Sequence, residues 1–507
     1  MFSCVASSND DTMNVLFVYT VPYAPPPPAK PLPDWTEMSL GISYLASTLE
    51  TAGHTIRLVV LKREHWQADL ERVLRDFRPR LLCFTAVATE YVFVEKVARH
   101  LRGELPDVHQ IIGGPHVSLQ PEDVLEGPFD SLCIGEGEGA LLELADAVAS
   151  DREPTGIANL FIKRGSAIER NPTRPMLQDI ESVPYPHREM WRPWVSSDTR
   201  HTVLLGRGCP YNCTYCCNHA LRELAEGKYV RLRGPADVVE EIRSLCSDYP
   251  AVSEIYLEVE SITANPKYAL ELARSLEELN ATHPTPLSFG TNVRILRKKS
   301  LREMFEGFAR AGFSHINVGL ESGSERVRRE VLKRNYTNEE LLQAFDDARS
   351  AGLRINAYNL IGVPGETPED FRQTIEVNRR ACPDESRLSI FYPYPGTDLH
   401  KVCVDRGIKV RLGEENAERY RAPLGLPEFR NRQVERYFRW FDFMVYRGKR
   451  PLSTLLRSYL SKRLAAHPRL LRWYRCHTDH GVLLLVKRAL KRLVGRPAKK
   501  GMAVQGG

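Results

Sequence analysis

Gly206-Arg-Gly-Cys-Pro-Tyr-Asn-Cys-Thr-Tyr-Cys-Cys217 is the stretch that decides the fold of this 507-residue chain. It places Cys209, Cys213 and Cys216 within one short loop. Thiolates are soft ligands, and a compact set of sulfur donors suits an iron–sulfur cluster or zinc better than magnesium or calcium. Structural zinc sites usually have four protein ligands, whereas a four-iron cluster on three cysteines leaves one iron open. A zinc knuckle that adds His219 is the alternative.

The cysteine spacing resembles the signature of the radical S-adenosylmethionine (SAM) superfamily. In that family the open iron of a 4Fe-4S cluster chelates the methionine part of SAM, and an aromatic residue precedes the third cysteine. Tyr215 has that position here, so the resemblance implies that it lies against the adenine. The preceding Val203-Leu-Leu205 predicts a first barrel strand that leads into the loop.

Beyond the loop, apolar runs of strand length alternate with amphipathic helical segments. The later strands are predicted at residues 254–258, 287–289, 315–319, 353–362 and 389–392. Together with the first strand they give six strand–helix repeats, which predict a partial (β/α)6 barrel over residues 200–404. Its chemistry is expected at the carboxyl ends of the strands.

Four barrel residues match positions that contact SAM or substrate in the family. Glu321, in Gly319-Leu-Glu-Ser-Gly, corresponds to a glutamate that reaches SAM. Gly362 lies in a turn that resembles the family's turn near adenine, and Asn292 and Arg294 follow the third strand. The structural alternatives are a tight turn and helix N-cap for residues 319–324, and a satisfied polar core for Asn292 and Arg294. Residues 257–261 depart from the family, because glutamates replace the usual pair of aspartates.

Upstream of the loop, strands alternate with helices from residue 14 to residue 134. This alternation predicts a doubly wound parallel sheet, and such sheets bind ligands at the carboxyl ends of their strands. Two glycine-rich turns are predicted at such ends, Gly113-Gly-Pro-His-Val-Ser118 and Gly135-Glu-Gly-Glu-Gly139. Paired glycines let a large ligand approach the backbone closely.

A proline-rich loop and a Leu-Gly-x-x-Tyr-Leu-Ala helix accompany these turns, and the set resembles the Rossmann-like cobalamin-binding domain of one radical SAM subclass. The resemblance implies cobalamin contacts at Gly113, Gly114, His116, Ser118, Gly135 and Glu136. His54 and His65 do not stand in an Asp-x-His-x-x-Gly pattern, so the resemblance implies cobalamin without a histidine on its lower face. For His116 the alternative is a loop histidine that hydrogen-bonds to the backbone.

Composition separates the remaining segments. Residues 13–150 are predicted as the cobalamin-binding domain, and residues 151–199, rich in proline and aromatic residues, as a structured connector to the barrel. Residues 405–507 are predicted as a basic helical region. Between Arg447 and Lys500 there are 16 Lys and Arg residues and one acid, so this part carries 16 − 1 = +15 and the rest carries 6 − 15 = −9.

Residues 451–464 and 482–494 of this basic region have apolar residues at helical spacing. Basic amphipathic helices bind anionic membrane surfaces, which would suit a lipid substrate. The alternative is a helical extension that caps the barrel.

No apolar run has the length of a bilayer span and the N-terminus lacks an apolar signal stretch, so we expect a cytoplasmic protein whose tail is the candidate for peripheral membrane contact. The absence of a recognised RNA-binding appendage argues against nucleic acid.

The resemblance also implies an activity. An external donor such as flavodoxin or ferredoxin would reduce the cluster, SAM would yield a 5′-deoxyadenosyl radical, and cobalamin would deliver a methyl group. We therefore predict a cobalamin-dependent radical SAM C-methyltransferase acting on an unactivated carbon of a small molecule. The alternatives are a cyclase or rearrangement enzyme without net methyl transfer, and a metal-stapled binding protein. The scattered Cys4, Cys83 and Cys133 argue against a methylthiotransferase.

Overall fold

The computed structural model describes residues 12–21, 30–410 and 421–465. The strands of the first sheet are Asn14–Val21 (β1), Thr55–Lys62 (β2), Leu81–Thr85 (β3), His109–Gly113 (β4), Ser131–Cys133 (β5), Leu160–Arg164 (β6) and Ala167–Arg170 (β7). The helices among them are Leu40–Thr51 (α1), Trp66–Asp76 (α2), Tyr91–Glu104 (α3), Pro115–Leu119 (α4), Pro121–Leu125 (α5) and Glu138–Ala149 (α6). The sheet order is β2-β1-β3-β4-β5-β6-β7.

The first five strands pair in parallel, as predicted. β1 lies inside the sheet, and its Val15, Leu16 and Val18 are fully buried, which is typical of a strand covered on both faces. β6 and β7 extend the sheet as an antiparallel hairpin on β5, with Gly165 at a φ of 59° in the turn. Part of the predicted connector thus belongs to the first sheet, and the boundary at residue 150 stays a prediction.

A second set of elements forms the barrel. Its strands are Arg200–Leu204 (β8), Gly206–Arg207 (β9), Arg231–Leu232 (β10), Glu254–Glu258 (β11), Ser288–Val293 (β12), Phe313–Glu321 (β13), Arg354–Ile361 (β14) and Glu385–Ile390 (β15). The helices are Asn218–Arg222 (α7), Pro235–Asp248 (α8), Pro266–Thr282 (α9), Arg302–Ala311 (α10), Asn338–Ser350 (α11), Pro368–Ala381 (α12), Asp398–Asp405 (α13), Asn431–Tyr446 (α14) and Leu452–Ala465 (α15).

Six of these strands form a parallel sheet in the order β8-β11-β12-β13-β14-β15, which confirms the partial barrel. β9 and β10 form a separate antiparallel ribbon beside it. β15 begins four residues before the strand predicted at 389–392, because its polar Glu385 and Arg387 concealed the strand pattern. Capping boxes at Thr337 and Thr367 fix where α11 and α12 begin.

The described part of the basic region packs on the end of the barrel. α14 buries Val434, Phe438 and Phe441 in one apolar cluster with Phe371 of α12 and Ile390 of β15. α15 follows as a helix over most of the predicted range 451–464, whereas residues 482–494 lie outside the described residues. None of the described helices has the length and apolar character needed to cross a membrane.

Candidate active site

The cysteine loop continues from β8 and β9 and ends at α7, at the carboxyl end of the barrel sheet. The Cys217 thiol and the Asn218 amides hydrogen-bond to the sulfur of Cys216 and lower its pKa to about 6. Burial raises the pKa of Cys209 to about 11, and the neighbouring charges of Cys216 and Cys213 act in the same direction. Cys216 thus favours the thiolate that a metal requires.

Two further observations define the donor set. Among the described residues, no three His, Cys, Asp or Glu side chains are already gathered into a metal-binding group. His219, the candidate for a zinc knuckle, lies against Asp398 instead, with 3.2 Å between Nε2 and Oδ1. Sulfur donors in one loop, one of them with a lowered pKa, fit an iron–sulfur cluster.

Arg294 contacts the same loop. Its Nη1 donates a hydrogen bond of 3.0 Å to Sγ of Cys213, and its guanidinium lies 3.9 Å from the centroid of the Tyr211 ring. The structure thus places Arg294 beside the cysteine loop, and a contact between Arg294 and SAM or substrate stays a prediction.

Glu321 and Tyr215 meet in a buried network. The Tyr215 hydroxyl donates to Oε1 of Glu321 at 2.9 Å, and Nη1 of Arg334 donates to the same oxygen at 3.0 Å. Arg334 also donates to the Tyr215 hydroxyl at 2.7 Å and to the Gly319 carbonyl at 3.0 Å. Arg334 therefore holds together Tyr215, the predicted adenine contact, and Glu321, the residue predicted to bind SAM. The sequence pattern did not single out Arg334.

The backbone at Glu321 is strained. Its φ is 62°, and the pairing register between β13 and β14 shifts between Gly319 and Glu321. A residue with a Cβ pays about 1–2 kcal/mol in this left-handed region, and such strain is typical of functional sites. The shift turns the carboxylate of Glu321 toward the cysteine loop.

Asn292 lies within a polar core in the barrel. The Tyr256 hydroxyl donates to its Oδ1 at 2.6 Å, and its Nδ2 donates to the Val259 carbonyl at 3.0 Å. Its Nδ2 is also 3.4 Å from Glu258, whose pKa rises to about 7 because of burial and then the charge of Glu260. Asn292 is thus satisfied by the protein itself, and its contact with SAM or substrate stays a prediction.

Gly362 forms the predicted turn. Its φ is 80°, and its backbone N–H donates a 2.6 Å hydrogen bond to Oε2 of Glu366. Burial raises the pKa of Glu366 to about 8, against opposing hydrogen bonds from Gly362 and Val363. The carboxyl group therefore stays protonated at neutral pH in the folded chain.

We expect Glu366→Gln to stabilise the protein at alkaline pH. Unfolded Glu366 ionises near its ordinary pKa while the folded group holds its proton to about pH 8, so folding stability falls between these pH values. Glutamine removes this loss, which is on the order of 4 kcal/mol at pH 8. Thermal midpoints from pH 5 to pH 8 measure the effect, with the exposed Glu369→Gln as control. Equal midpoints of wild type and Glu366→Gln at pH 8 would contradict it.

The Gly113-Gly114 turn connects β4 to α4. A Cβ on Gly114 would lie 2.7 Å from Oγ1 of Thr85 and 2.8 Å from the Ala86 carbonyl, and φ is 101°, so only glycine fits. A Cβ on Gly113 would make ordinary contact with Cys133. The glycine pair thus lets the carboxyl end of β4 pack closely against the end of β3.

His116 is buried in α4. Neither ring nitrogen has a hydrogen-bond partner among the described residues, and burial lowers the pKa of the imidazole. The ring lies 4.7 Å from that of Tyr91. The His116 side chain therefore does not form the hydrogen bond to the backbone that the alternative predicted. A buried imidazole without a partner fits a site that a polar cofactor completes.

Ser118, Gly135 and Glu136 organise the second turn. Oγ of Ser118 accepts a 3.0 Å hydrogen bond from the Gly135 N–H, where φ is 83°. The Glu136 carboxylate forms ion pairs with Arg207 at 3.0 Å and Arg231 at 2.9 Å. Ser118 and Glu136 thus have structural partners, and their contacts with cobalamin stay predictions.

The first sheet and the cysteine loop meet directly. α4, which follows the Gly113-Gly114 turn, packs against α7, which follows the cysteines. A Cβ on Gly396 would lie 3.0 Å from Cβ of Leu119, so the chain after β15 also packs on α4. The carboxyl edges of both sheets therefore adjoin each other.

Sequence reasoning missed Arg207, Arg231 and Arg334, which complete the network around the site. The side chains of Arg231 and Arg334 are 5% and 7% exposed. Arginine is mostly a surface residue, and Arg334 stands between Lys333 and Asn335. No local signal distinguishes them, because their partners come from distant parts of the chain.

Known proteins share this organisation. The Radical SAM superfamily profile matches residues 203–377, and that of the B12 binding domain matches residues 35–145. An uncharacterized methyltransferase of Pyrococcus horikoshii is 27% identical over 406 residues, which are 79% of this chain and 86% of that protein. The anaerobic magnesium-protoporphyrin IX monomethyl ester cyclase of Cereibacter sphaeroides is 26% identical over 380 residues, which are 72% of this chain and 60% of the cyclase.

A solved structure shows the same fold. The radical S-adenosylmethionine methyltransferase TsrM from Kitasatospora setae, with cobalamin and a [4Fe-4S] cluster bound, aligns at a TM-score of 0.63 and 20% identity. The alignment covers 84% of this chain and 82% of TsrM. The two chains therefore share one fold over most of their lengths.

Proposed function

Because the chain belongs to the radical SAM superfamily and carries a B12-binding domain ahead of its barrel, we propose that it methylates an unactivated carbon of a small molecule. The family matches identify its cofactors as a 4Fe-4S cluster, SAM and cobalamin. When bound, these groups supply an organic radical and a transferable methyl group, so the protein supplies binding, orientation and exclusion of water.

The observation that carries the proposal is the contact between α4 and α7. It sets the glycine turn of the B12-binding domain beside the loop of Cys209, Cys213 and Cys216. Tyr215 and Glu321 line the barrel side of the same region through their hydrogen bond of 2.9 Å. A substrate between these elements would have one cofactor on each side, as a radical methyl transfer requires.

A second candidate function is ring formation or rearrangement with the same cofactors and no net methyl transfer. The similarity to the anaerobic magnesium-protoporphyrin IX monomethyl ester cyclase favours it. Against it stand the similarities to two methyltransferases, the one from Pyrococcus horikoshii and TsrM. Carbon methylation therefore has the better support, and the cyclase reaction is the alternative.

Isotope labelling distinguishes the two functions. The anaerobically reconstituted protein, with cobalamin, a low-potential reductant and candidate substrates, would be given SAM with a deuterated methyl group. Methylation predicts a product that carries the three deuterium atoms together with 5′-deoxyadenosine. Product without deuterium, formed with 5′-deoxyadenosine, would establish the alternative. A zinc-loaded protein that does not cleave SAM would exclude both.

The partners follow from the same proposal. The substrate is a small molecule, and an external donor such as flavodoxin or ferredoxin supplies the electron that reduces the cluster. We place the protein in the reducing cytoplasm, which suits free cysteines at a cluster site.

We also propose that α15 contacts an anionic membrane. Leu452, Leu456 and Leu460 are 59%, 41% and 53% exposed and follow one another at four-residue intervals on one helix face. Arg457 and Arg463 are exposed on the same helix. Exposed leucines flanked by arginines are typical of helices that lie on anionic lipid.

We expect Leu456→Glu with Leu460→Glu to reduce sedimentation with phosphatidylglycerol vesicles at least about tenfold, since two apolar side chains are lost and negative charge is added. Vesicles of phosphatidylcholine alone should bind the wild type weakly. Val92→Glu is the control, because Val92 is also an exposed apolar residue, at 62%, but lies on α3. Equal sedimentation of the double variant and the control would contradict membrane contact through α15.

A further inference from the structure

A continuous path of polar contacts joins the Gly135–Gly139 turn of the B12-binding domain to the cysteine loop. Nη1 of Arg231 lies 2.9 Å from both oxygens of Glu136, and Nε of Arg231 donates to the Tyr229 carbonyl at 3.1 Å. The Tyr229 hydroxyl donates to Oδ1 of Asn218 at 2.7 Å, and Nδ2 of Asn218 lies 3.5 Å from Sγ of Cys216. One end of the path is in the first domain and the other is at a cysteine.

A second branch reaches Cys209. Nη1 of Arg207 pairs with Glu136 at 3.0 Å and Nη2 pairs with Glu138 at 2.6 Å. Arg207 is separated from Cys209 only by Gly208, whose φ is 86°, and a Cβ on Gly208 would clash with the Tyr229 carbonyl. The backbone between Arg207 and Cys209 therefore packs directly against Tyr229, a member of the first path.

We propose that Glu136 is a positioning residue that couples cobalamin binding to the geometry of the cysteine loop. The inference rests on the proposed function. Glu136 follows Gly135 in the turn that lies at the carboxyl edge of the first sheet, and it holds both arginines that flank the cysteines. Cobalamin in the first domain would order this turn, and Glu136 would then fix Arg207 and Arg231.

The loss of conformational entropy when the loop becomes ordered determines whether cobalamin raises or lowers the affinity for SAM. A loop that is already fixed by one ligand loses less conformational entropy when the second ligand binds, so the two affinities rise together. Coupling between two sites typically amounts to 5–150-fold and is reciprocal. We therefore expect cobalamin to tighten SAM binding about tenfold in the wild type.

The experiment compares SAM dissociation constants of the anaerobically reconstituted, cluster-loaded full chain with and without hydroxocobalamin. In Glu136→Gln the ratio of the two constants should fall below about twofold. The electron paramagnetic resonance spectrum of the reduced cluster should respond to cobalamin in the wild type and not in this variant. Glu143→Gln is the matched control. Glu143 lies on the neighbouring helix α6 and forms an ion pair with Arg174 at 2.7 Å, and it is not part of the path.

Tyr229→Phe gives an independent test, since it removes one hydroxyl from the middle of the path and leaves every ion pair intact. It should lower the ratio while each cofactor still binds. An unchanged ratio in both variants, or no coupling in the wild type, would overturn the inference and leave the proposed function standing. A wild type that does not bind cobalamin would overturn both.

Discussion

Cys216→Ala is expected to abolish SAM cleavage, with 5′-deoxyadenosine formation at least about a thousandfold below the wild type. A cluster that is bound to the protein by three cysteines is no longer held firmly when one of the three is removed. Cys216 is also the cysteine whose pKa is lowered, to about 6, so it is the thiolate most available at neutral pH. Iron, acid-labile sulfide and 5′-deoxyadenosine are measured after anaerobic reconstitution.

Cys217→Ala is the matched control for this result. Cys217 adjoins Cys216, and its pKa is raised because its thiol hydrogen-bonds to the Cys216 sulfur. We therefore predict that Cys217 is a hydrogen-bond donor to a ligand and not a ligand itself, and that its replacement leaves most of the iron in place. If Cys217→Ala lost as much iron as Cys216→Ala, the assignment of three ligands would be wrong.

The strands that position this site were predictable because their residues are both apolar and periodic. β14 was predicted at residues 353–362 from an alternating apolar run, and the structure moves each of its ends by one residue. The glycines at the carboxyl ends were recognisable as well, because Gly114 and Gly362 have positive φ values that other residues rarely adopt. Such signals are local, so one sequence contains them.

The polar network around the site was not predictable, because its members are distant in sequence. Arg207 and Glu136 are 71 residues apart, and they meet only because the second turn of the first sheet lies against β9. Arg334 reaches Glu321 from a stretch, Lys333-Arg-Asn335, that looks like exposed charge. Burial turns these arginines into structural residues, and burial depends on the whole fold.

Replacing Glu321 by leucine is expected to cost about 3–5 kcal/mol of folding free energy and to weaken SAM binding at least tenfold. Arg334 would lose the carboxylate that balances its charge, although both side chains are about nine-tenths buried. The Tyr215 hydroxyl would lose its acceptor as well. Chemical denaturation measures the first effect and equilibrium titration of the cluster-loaded protein measures the second.

The double variant Glu321→Leu with Arg334→Met separates the two effects. Removing both charges leaves no unpaired ion, so its stability should return to within about 1.5 kcal/mol of the wild type. SAM binding should not return, because the carboxylate that we assign to the SAM site is still missing. Asp346→Leu, which breaks the exposed pair with Arg349, should change neither quantity appreciably. Recovery of SAM affinity in the double variant would show that Glu321 acts only through the stability of the barrel, and that the SAM contact must come from another residue.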